Sequence, residues 1–399
     1  MKILHLHTLY KPYNVGGAEK ICELLVEGFK EKGLDNIVLT TGPKNSEVIE
    51  EIINEVKVIR VPIKNIYWHY NNEKPPSYKR LIWHLRDIYN YEMYKEVKKI
   101  ILKEKPDIAI LHNITGFSAS IWKLFNDLKI PIIQVLHDLY SLCPNSNMFN
   151  GKDSCKRQCL KCKIFRFFHQ ELSRNVDVVV GVSKFILDKH LEYGLFGKAK
   201  IKTYIHNVLK IDELPEIKND FNKDKITFGF IGGLTRAKGI ENLLKVFKSI
   251  DLDNIQLLVA GKGKEGYEKY LKDNFSTQNI KFLGYMKSDE FFKDIDVLVV
   301  PSLWNDTLPT VILEAFIYGV PVIGSKRGGI PELINNHNGY LFEPTNLNEL
   351  KEIILSIVKN KDEVKIKKDF IVKNREKYVD YENWIDKYLS LVKEILNER

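Results

Sequence analysis

The chain has 399 residues, 44% hydrophobic and 28% charged, a balance that excludes a disordered or fibrous polypeptide and allows two folded domains of ordinary size. No apolar run approaches the roughly 18 residues of a membrane span, so any membrane contact is expected at the surface only. The formal net charge is +9. The opening MKILHLHTLY lacks the small-residue cleavage site of a leader, so a cytoplasmic protein is expected, peripheral on the inner face of a membrane if it meets one.

MKILHLHTLY reads as a buried strand, followed by Gly16 and Gly17 and an apolar-periodic helix from about Ala18 to Lys32 that ends at Gly33. Further strand-like runs start at Ile37, Val56, Asp107, Ile132 and Val176. Apolar strands alternating with helical stretches predict a parallel sheet covered on both faces. Between Lys57 and Lys105 the chain carries twelve basic against five acidic residues. Tyr67, Trp68, Tyr70, Tyr78, Trp83, Tyr89, Tyr91 and Tyr94 lie in the same segment. Basic plus aromatic surface suits anionic headgroups. Nucleic acid, the rival partner, is not expected, and a solvated charged face is the plain alternative.

His137 ends the strand that starts at Ile132 and is a candidate site residue, although a lone strand-end histidine is usually structural. Cys143, Cys155, Cys159 and Cys162 follow in one loop, while Cys22 lies on the first helix. Disulfides are disfavoured in the expected compartment. The C-x3-C-x2-C tail therefore suggests structural zinc or an iron–sulfur cluster on four thiolates, with four free thiols as the alternative. The run KCKIFRFFHQELSR, from Lys161 to Arg174, reads as a basic amphipathic helix. The charged piece from Lys210 to Lys225 reads as a linker.

A second series of strands starts at Ile226, Ile255, Ile280, Asp296 and Val320. The turn IGGLTRAKG, from Ile231 to Gly239, follows the first of them and opens a helix. Glycines there let backbone approach a phosphate, and Lys238 would neutralise it. Asp294 and Asp296 look like a metal motif of other transferases but precede a buried strand and read as a helix-end feature. Later, Pro309 is pre-set for a first helical position with Thr307 or Leu308 before it, so the entrance Leu308, Pro309, Thr310 would receive a phosphate. Glu314 then sits one turn inside, among apolar neighbours, and needs a partner. Asp306 as a helix cap and Glu314 in an ion pair with Lys or Arg are the structural alternatives. The segment from Tyr381 has apolar spacing (Trp384, Tyr388, Leu391, Ile395) suited to a final packed helix.

Asp306-x7-Glu314, followed by Gly319, Pro321, Gly328, Gly329, Pro331 and Glu332, resembles glycosyltransferase family 4, the group 1 glycosyltransferases, in which a carboxylate pair precedes a helix, a strand and a Gly-Gly-x-Pro-Glu turn. The resemblance covers essentially the full length. It implies the α/β GT-B architecture, two doubly wound Rossmann-like domains facing an interdomain cleft. Residues 1–209 would form the N-terminal, acceptor-side domain and 210–377 the nucleotide-sugar domain, with a C-terminal helix at 378–399 packing back on the first.

The same resemblance assigns roles. Asp306 and His137 would position the donor sugar, and Glu314 would hold the ribose diol. Lys238 and Arg236, with Gly232 and Gly233, would meet the diphosphate. Gly16 and Gly17 would form the glycine turn of the first domain, and Asn207 the hinge. Two departures stand out: Asp306 replaces the commoner Glu, and Gly233 occupies a position usually held by Arg, for which Arg236 would substitute. The implied activity is retaining transfer of a hexosyl unit, without a required cofactor, from a UDP- or GDP-linked sugar. The acceptor would be a sugar or lipid-linked saccharide, in surface polysaccharide or glycoconjugate synthesis. The alternatives are a nucleotide-sugar epimerase of the same fold and a metal-binding protein with a decayed transferase site.

Overall fold

In the computed structural model the described residues are 1–13, 16–70, 75–217 and 225–397. They form two compact units. The first comprises Met1–Met148, Lys156–His206 and the chain from Glu382 onward; the second comprises Phe149–Cys155 and Asn207–Tyr381. Residues 218–224, the middle of the expected linker, lie outside the described residues.

Eight strands build the sheet of the first unit: β1 (Lys2–Leu6), β2 (Asp35–Gly42), β3 (Ile49–Ile53), β4 (Val56–Pro62), β5 (Ile108–Leu111), β6 (Ile132–Leu136), β7 (Val178–Gly181) and β8 (Ile201–Tyr204). Their order is β3-β4-β2-β1-β5-β6-β7-β8. Strands β5, β6 and β7 are buried at every residue, as expected for central parallel strands with helices on both faces. The exception to parallel pairing is β3, which runs antiparallel to β4. Asn54 and Glu55, both at positive φ, make the two-residue turn between them. Strand β3 is half exposed and acidic, so it lacks the apolar run that marks the central strands β5, β6 and β7.

The second unit has six strands: β9 (Ile226–Ile231), β10 (Ile255–Ala260), β11 (Ile280–Gly284), β12 (Val297–Val300), β13 (Val322–Ser325) and β14 (Gly339–Phe342), in the order β11-β10-β9-β12-β13-β14. Each described pairing is parallel. Phe228, Leu243, Phe247, Ile323 and Ile354 belong to the core that packs helices onto this sheet. In both units the loops at the carboxyl ends of the strands carry the candidate site residues, the usual ligand-binding edge of such sheets.

The final helix spans Tyr381–Asn397. From Glu382 on it belongs to the first unit, burying Trp384 and Tyr388 and pairing Glu382 and Asp386 with Lys32. Among the described residues no helix is long and apolar enough to cross a membrane.

Two expectations are corrected. The segment Lys161–Arg174 is not one amphipathic helix but two short helices, Leu160–Phe165 and His169–Leu172, followed by a 3-10 turn. The break follows from Arg166, whose buried guanidinium donates to the Tyr140 carbonyl at 2.6 Å and lies 4.1 Å from that residue's ring. The aromatics between Tyr67 and Tyr94 are also mostly packed inward. Trp68 and Trp83 are buried, Tyr67 and Tyr70 pack against Trp83 and Trp68, and only Tyr78 and Tyr91 are well exposed.

Candidate functional site

In the second unit the turn after β9 places a cation against a carboxylate. Gly232 and Gly233 follow β9, and the Thr235 hydroxyl caps the 3-10 turn Arg236–Lys238, accepting from the Lys238 amide at 3.4 Å. Gly239 has φ +73, and a Cβ there would fall 1.8 Å from the Pro301 carbonyl oxygen. Only glycine lets this turn lie on the loop after β12. Backbone bonds then join the two, with Leu303 and Trp304 donating to the Ala237 carbonyl at 2.8 and 3.2 Å. The Lys238 ammonium consequently reaches Asp306 Oδ2 at 2.5 Å and lies 5.3 Å from the centre of the Trp304 ring.

Asp306 is held from behind by the Gly-Gly turn. The Gly329 amide donates to the Asp306 carbonyl at 2.8 Å. Gly328, at φ +58, approaches so closely that a Cβ would lie 1.9 Å from the same oxygen. Asp306 itself is 8% exposed, so its pairing with Lys238 shields a carboxylate that would be costly to bury alone. The excursion Phe149–Cys155 completes this side: Ser154 donates to the Leu303 carbonyl at 3.1 Å, and Asp153 meets Arg327 at 3.3 Å.

The following helix spans Thr310–Ile317 with Pro309 as N-cap, one residue later than the expected entrance. No side chain caps it; the Ile312 amide donates to the Pro309 carbonyl at 3.1 Å, which leaves the amides of Thr310 and Val311, with Leu308 and Pro309 just before them, as the ones an anion would meet. Glu314 finds its partner in the Ser288 hydroxyl, which donates to Oε2 at 2.6 Å. Ser288 was not visible as a site residue in the sequence; it starts the short helix Ser288–Phe291 and meets Glu314 only through tertiary packing. A neutral hydroxyl partner leaves the carboxylate with lone pairs for ligand hydroxyls.

Arg236 is placed apart from Lys238 and Asp306. Its side chain is 68% exposed and faces Glu241 at 3.8 Å and Tyr267. Asp296 accepts from the Thr227 amide at 2.8 Å and so pins β12 to β9.

In the first unit His137 follows β6 and stacks on His112, with Nε2 2.9 Å from His112 Nδ1. His7 lies 6.3 Å from it, centre to centre. Burial lowers His137 and His5 to about 4 and, with the nearby His137 adding to the effect, His7 to about 3. These imidazoles are therefore neutral hydrogen-bonding groups at neutral pH. Asp138, beside them, is raised to about 6 by burial while accepting from Asn113 at 2.9 Å. Gly16 is the N-cap of the helix Gly17–Glu31, and its amide donates to Glu19 at 2.9 Å; Asn14 and Val15 before it lie outside the described residues. Asn207 is buried, and its Oδ1 has no hydrogen-bond partner among the described residues.

For Cys143, Cys155, Cys159 and Cys162 the sequence leaves two expectations, four thiolates on one metal or four free thiols. Among the described residues no group of three or more His, Cys, Asp or Glu side chains is arranged to hold a metal ion. Cys162 is instead the common neighbour of two of the other sulfurs. Cys162 hydrogen-bonds Cys143, which lowers the Cys143 thiol below the usual range, and its sulfur lies 3.5 Å from that of Cys159. Cys155 sits on the excursion grouped with the second unit, and all five cysteines are free thiols.

The pattern of Glycosyltransferase Family 4 matches residues 15–208, and that of Glycosyl transferases group 1 matches residues 213–377. An uncharacterized 42.6 kDa protein in the cps region of Klebsiella pneumoniae is 32% identical over 333 residues, covering 84% of this chain and 87% of that protein. An uncharacterized glycosyltransferase of Methanocaldococcus jannaschii is 30% identical over 317 residues, 75% of this chain and 82% of its own. Sucrose-phosphate synthase from Thermosynechococcus elongatus shares the fold at a TM-score of 0.75 and 16% identity, over 100% of both chains. Anabaena HepE in complex with UDP does so at 0.71 and 16%, over 99% of this chain and 100% of that one. With both halves matched in order and the two parallel sheets described above, the chain belongs to glycosyltransferase family 4, the group 1 glycosyltransferases, and has the GT-B fold.

Proposed function

We propose that this glycosyltransferase moves a hexosyl unit, with retention, from a UDP- or GDP-linked sugar to a sugar or lipid-linked saccharide in surface polysaccharide synthesis, at an anionic membrane surface. The observation that carries the donor reading is the 2.5 Å pairing of Lys238 with Asp306, next to an uncapped helix start. A diphosphate carries more charge than one carboxylate and would draw the Lys238 ammonium from Asp306, with the first-turn amides and helix dipole adding to the attraction. Charge on the diphosphate grows as it leaves, so these groups stabilise the transition state more than the bound donor.

Asp306, released from Lys238, would accept from sugar hydroxyls, and Glu314, oriented by Ser288, from the ribose diol. His137 contributes a neutral hydrogen-bonding imidazole to the sugar side. In the transfer the acceptor oxygen bonds to the anomeric carbon as the bond to the diphosphate oxygen breaks. The hydroxyl proton passes to that departing oxygen on the same face, which preserves the anomeric configuration. The cps-region relative and the HepE structure with UDP-glucose support the setting and the donor class.

Incubation with UDP- and GDP-hexoses, with nucleoside diphosphate release and product anomer read by NMR, tests this. Release of UDP or GDP with a retained product is expected. Epimerisation of the donor without release, or failure of every nucleoside diphosphate to bind in calorimetry, would overturn the reading.

A further inference from the structure

The helix Ser77–Arg86 buries one residue, Trp83, and leaves Leu81, Ile82 and Leu85 exposed. The helix Leu160–Phe165 likewise leaves Leu160 73% and Ile164 51% exposed, and Phe167 just beyond it is 73% exposed. Single exposed apolar side chains are ordinary, but a contiguous apolar patch on one unit marks an interaction surface. The two helices are neighbours, because both line a cavity of about 700 Å³ walled by Leu81, Leu85, Ile164 and Phe165, with Arg80 and Lys161 among its lining residues. That volume falls within the roughly 300–1,000 Å³ of small-ligand sites.

The charge around this apolar groove has one sign. Ser77–Arg86 contains Lys79, Arg80 and Arg86 and no acid, and from Ser154 to Gln170 the chain contains Lys156, Arg157, Lys161, Lys163 and Arg166 and no acid. Arg166 is buried against Tyr140, whereas Arg80 and Lys161 line the groove and Lys163 is exposed on the same helix as Lys161. Apolar side chains beside these cations complement a layer whose phosphates lie above its acyl chains.

We infer that the groove between Ser77–Arg86 and Leu160–Phe165 is an anionic-phospholipid docking site. Leu81, Leu85, Ile164 and Phe167 enter the acyl region, one hydrocarbon chain lies in the groove, and Arg80, Lys161 and Lys163 meet lipid phosphates. This deepens the membrane part of the proposed function. Its test reads lipid binding without donor turnover, so either reading can fail alone.

Co-sedimentation with phosphatidylcholine vesicles, with and without phosphatidylglycerol, tests the site. The full chain is expected to pellet only with the anionic vesicles. Lys161→Glu with Lys163→Glu should weaken binding by at least about 30-fold, since each cation lost near an anionic surface removes about 1 kcal/mol. Leu81→Ser with Ile164→Ser should weaken binding at moderate salt, where the apolar term dominates. Both pairs replace exposed side chains, and melting temperatures equal to the parent's certify their fold. Absence of pelleting at low salt would overturn the proposal. So would lipid binding unchanged in Leu81→Ser with Ile164→Ser, which would make the surface merely electrostatic. Self-association that this apolar pair abolishes, without vesicle binding by the parent, would instead assign the groove to a second copy of the chain and equally overturn it.

Discussion

Lys238→Met separates the two roles of the Lys238–Asp306 pair. It keeps the length of the side chain and removes the charge. Asp306 is 8% exposed, and removing a partner from a fully buried pair costs about 3–5 kcal/mol, against about 0–1 kcal/mol at the surface. The Lys238 side chain is 31% exposed, which places the expected cost between these limits, at about 1–2 kcal/mol. For a unit of this size that lowers the melting temperature by roughly 2–8 °C. Adding Asp306→Asn removes the stranded carboxylate and should recover most of the loss. Diphosphate binding behaves differently, because the charged donor itself is gone. Loss of one charge-assisted hydrogen bond, about 1.5–3 kcal/mol, weakens UDP or GDP binding by about 10- to 150-fold in both the single and the double variant. Thermal melts and calorimetry on the four proteins of the cycle measure both quantities. Parental affinity in Lys238→Met, or a double variant that melts as low as the single, would refute the reasoning.

Gly328→Ala should reduce donor turnover on the order of 100-fold, since its Cβ would collide with the Asp306 carbonyl and a shift near 1 Å suffices for such a loss; steady-state kinetics on the soluble variant check it. Ser288→Ala should raise the donor KM by about 2- to 10-fold with kcat little changed, as expected for one net hydrogen bond orienting Glu314, and a KM unaffected by the change would detach Ser288 from the donor. Buried imidazoles predict a pH dependence. His137 titrates near 4 in the folded chain but near 6.5 unfolded. The unfolded chain therefore binds the extra proton first, and stability present above pH 6.5 is lost as pH falls toward 4. Asp87 and Asp138, raised by burial to about 6, act in the opposite sense below that pH. His137→Gln should thus reduce the stability lost between pH 7 and pH 5 by about 2 kcal/mol, read from urea unfolding at the two pH values; an unaltered loss would contradict the burial argument.

The alternation of short apolar strands with helical stretches was enough to expect two parallel sheets, because a strand buried on both faces has to be apolar at every position. The edge strands β3, β8 and β14 escaped that reading for the converse reason, since each is partly exposed and carries no such run. The window from Asp306 to Glu332 was legible as a unit because its glycines and prolines are backbone devices whose positions are written in the chain. Gly328 and Gly239 do what their residue type suggests, admitting a neighbouring carbonyl where a Cβ has no room.

Partnerships were not legible. Lys238, expected to meet a phosphate, and Asp306, expected to meet a sugar, are paired with each other in this structure, and the Ser288 hydroxyl beside Glu314 leaves no trace in the sequence. The cysteine spacing suggests a ligand set, but spacing does not say where four sulfurs point: Cys162 meets Cys143 and Cys159, and Cys155 lies on the excursion grouped with the second unit. The apolar face of Ser77–Arg86 was hidden because Leu81, Ile82 and Leu85 look like core residues until burial is known.

By itself, then, the sequence determined the class of fold, the strand ends that carry the candidate site, and the backbone positions that must be glycine, since each is a local property of periodicity or sterics. Tertiary structure alone decided which charge faces which, which hydroxyl orients Glu314, that His137 is held neutral against His112, and which apolar helix faces remain outside. Those depend on distances between residues far apart in the chain, and electrostatic and desolvation energies change steeply with such distances while leaving no periodic trace in the order of the residues.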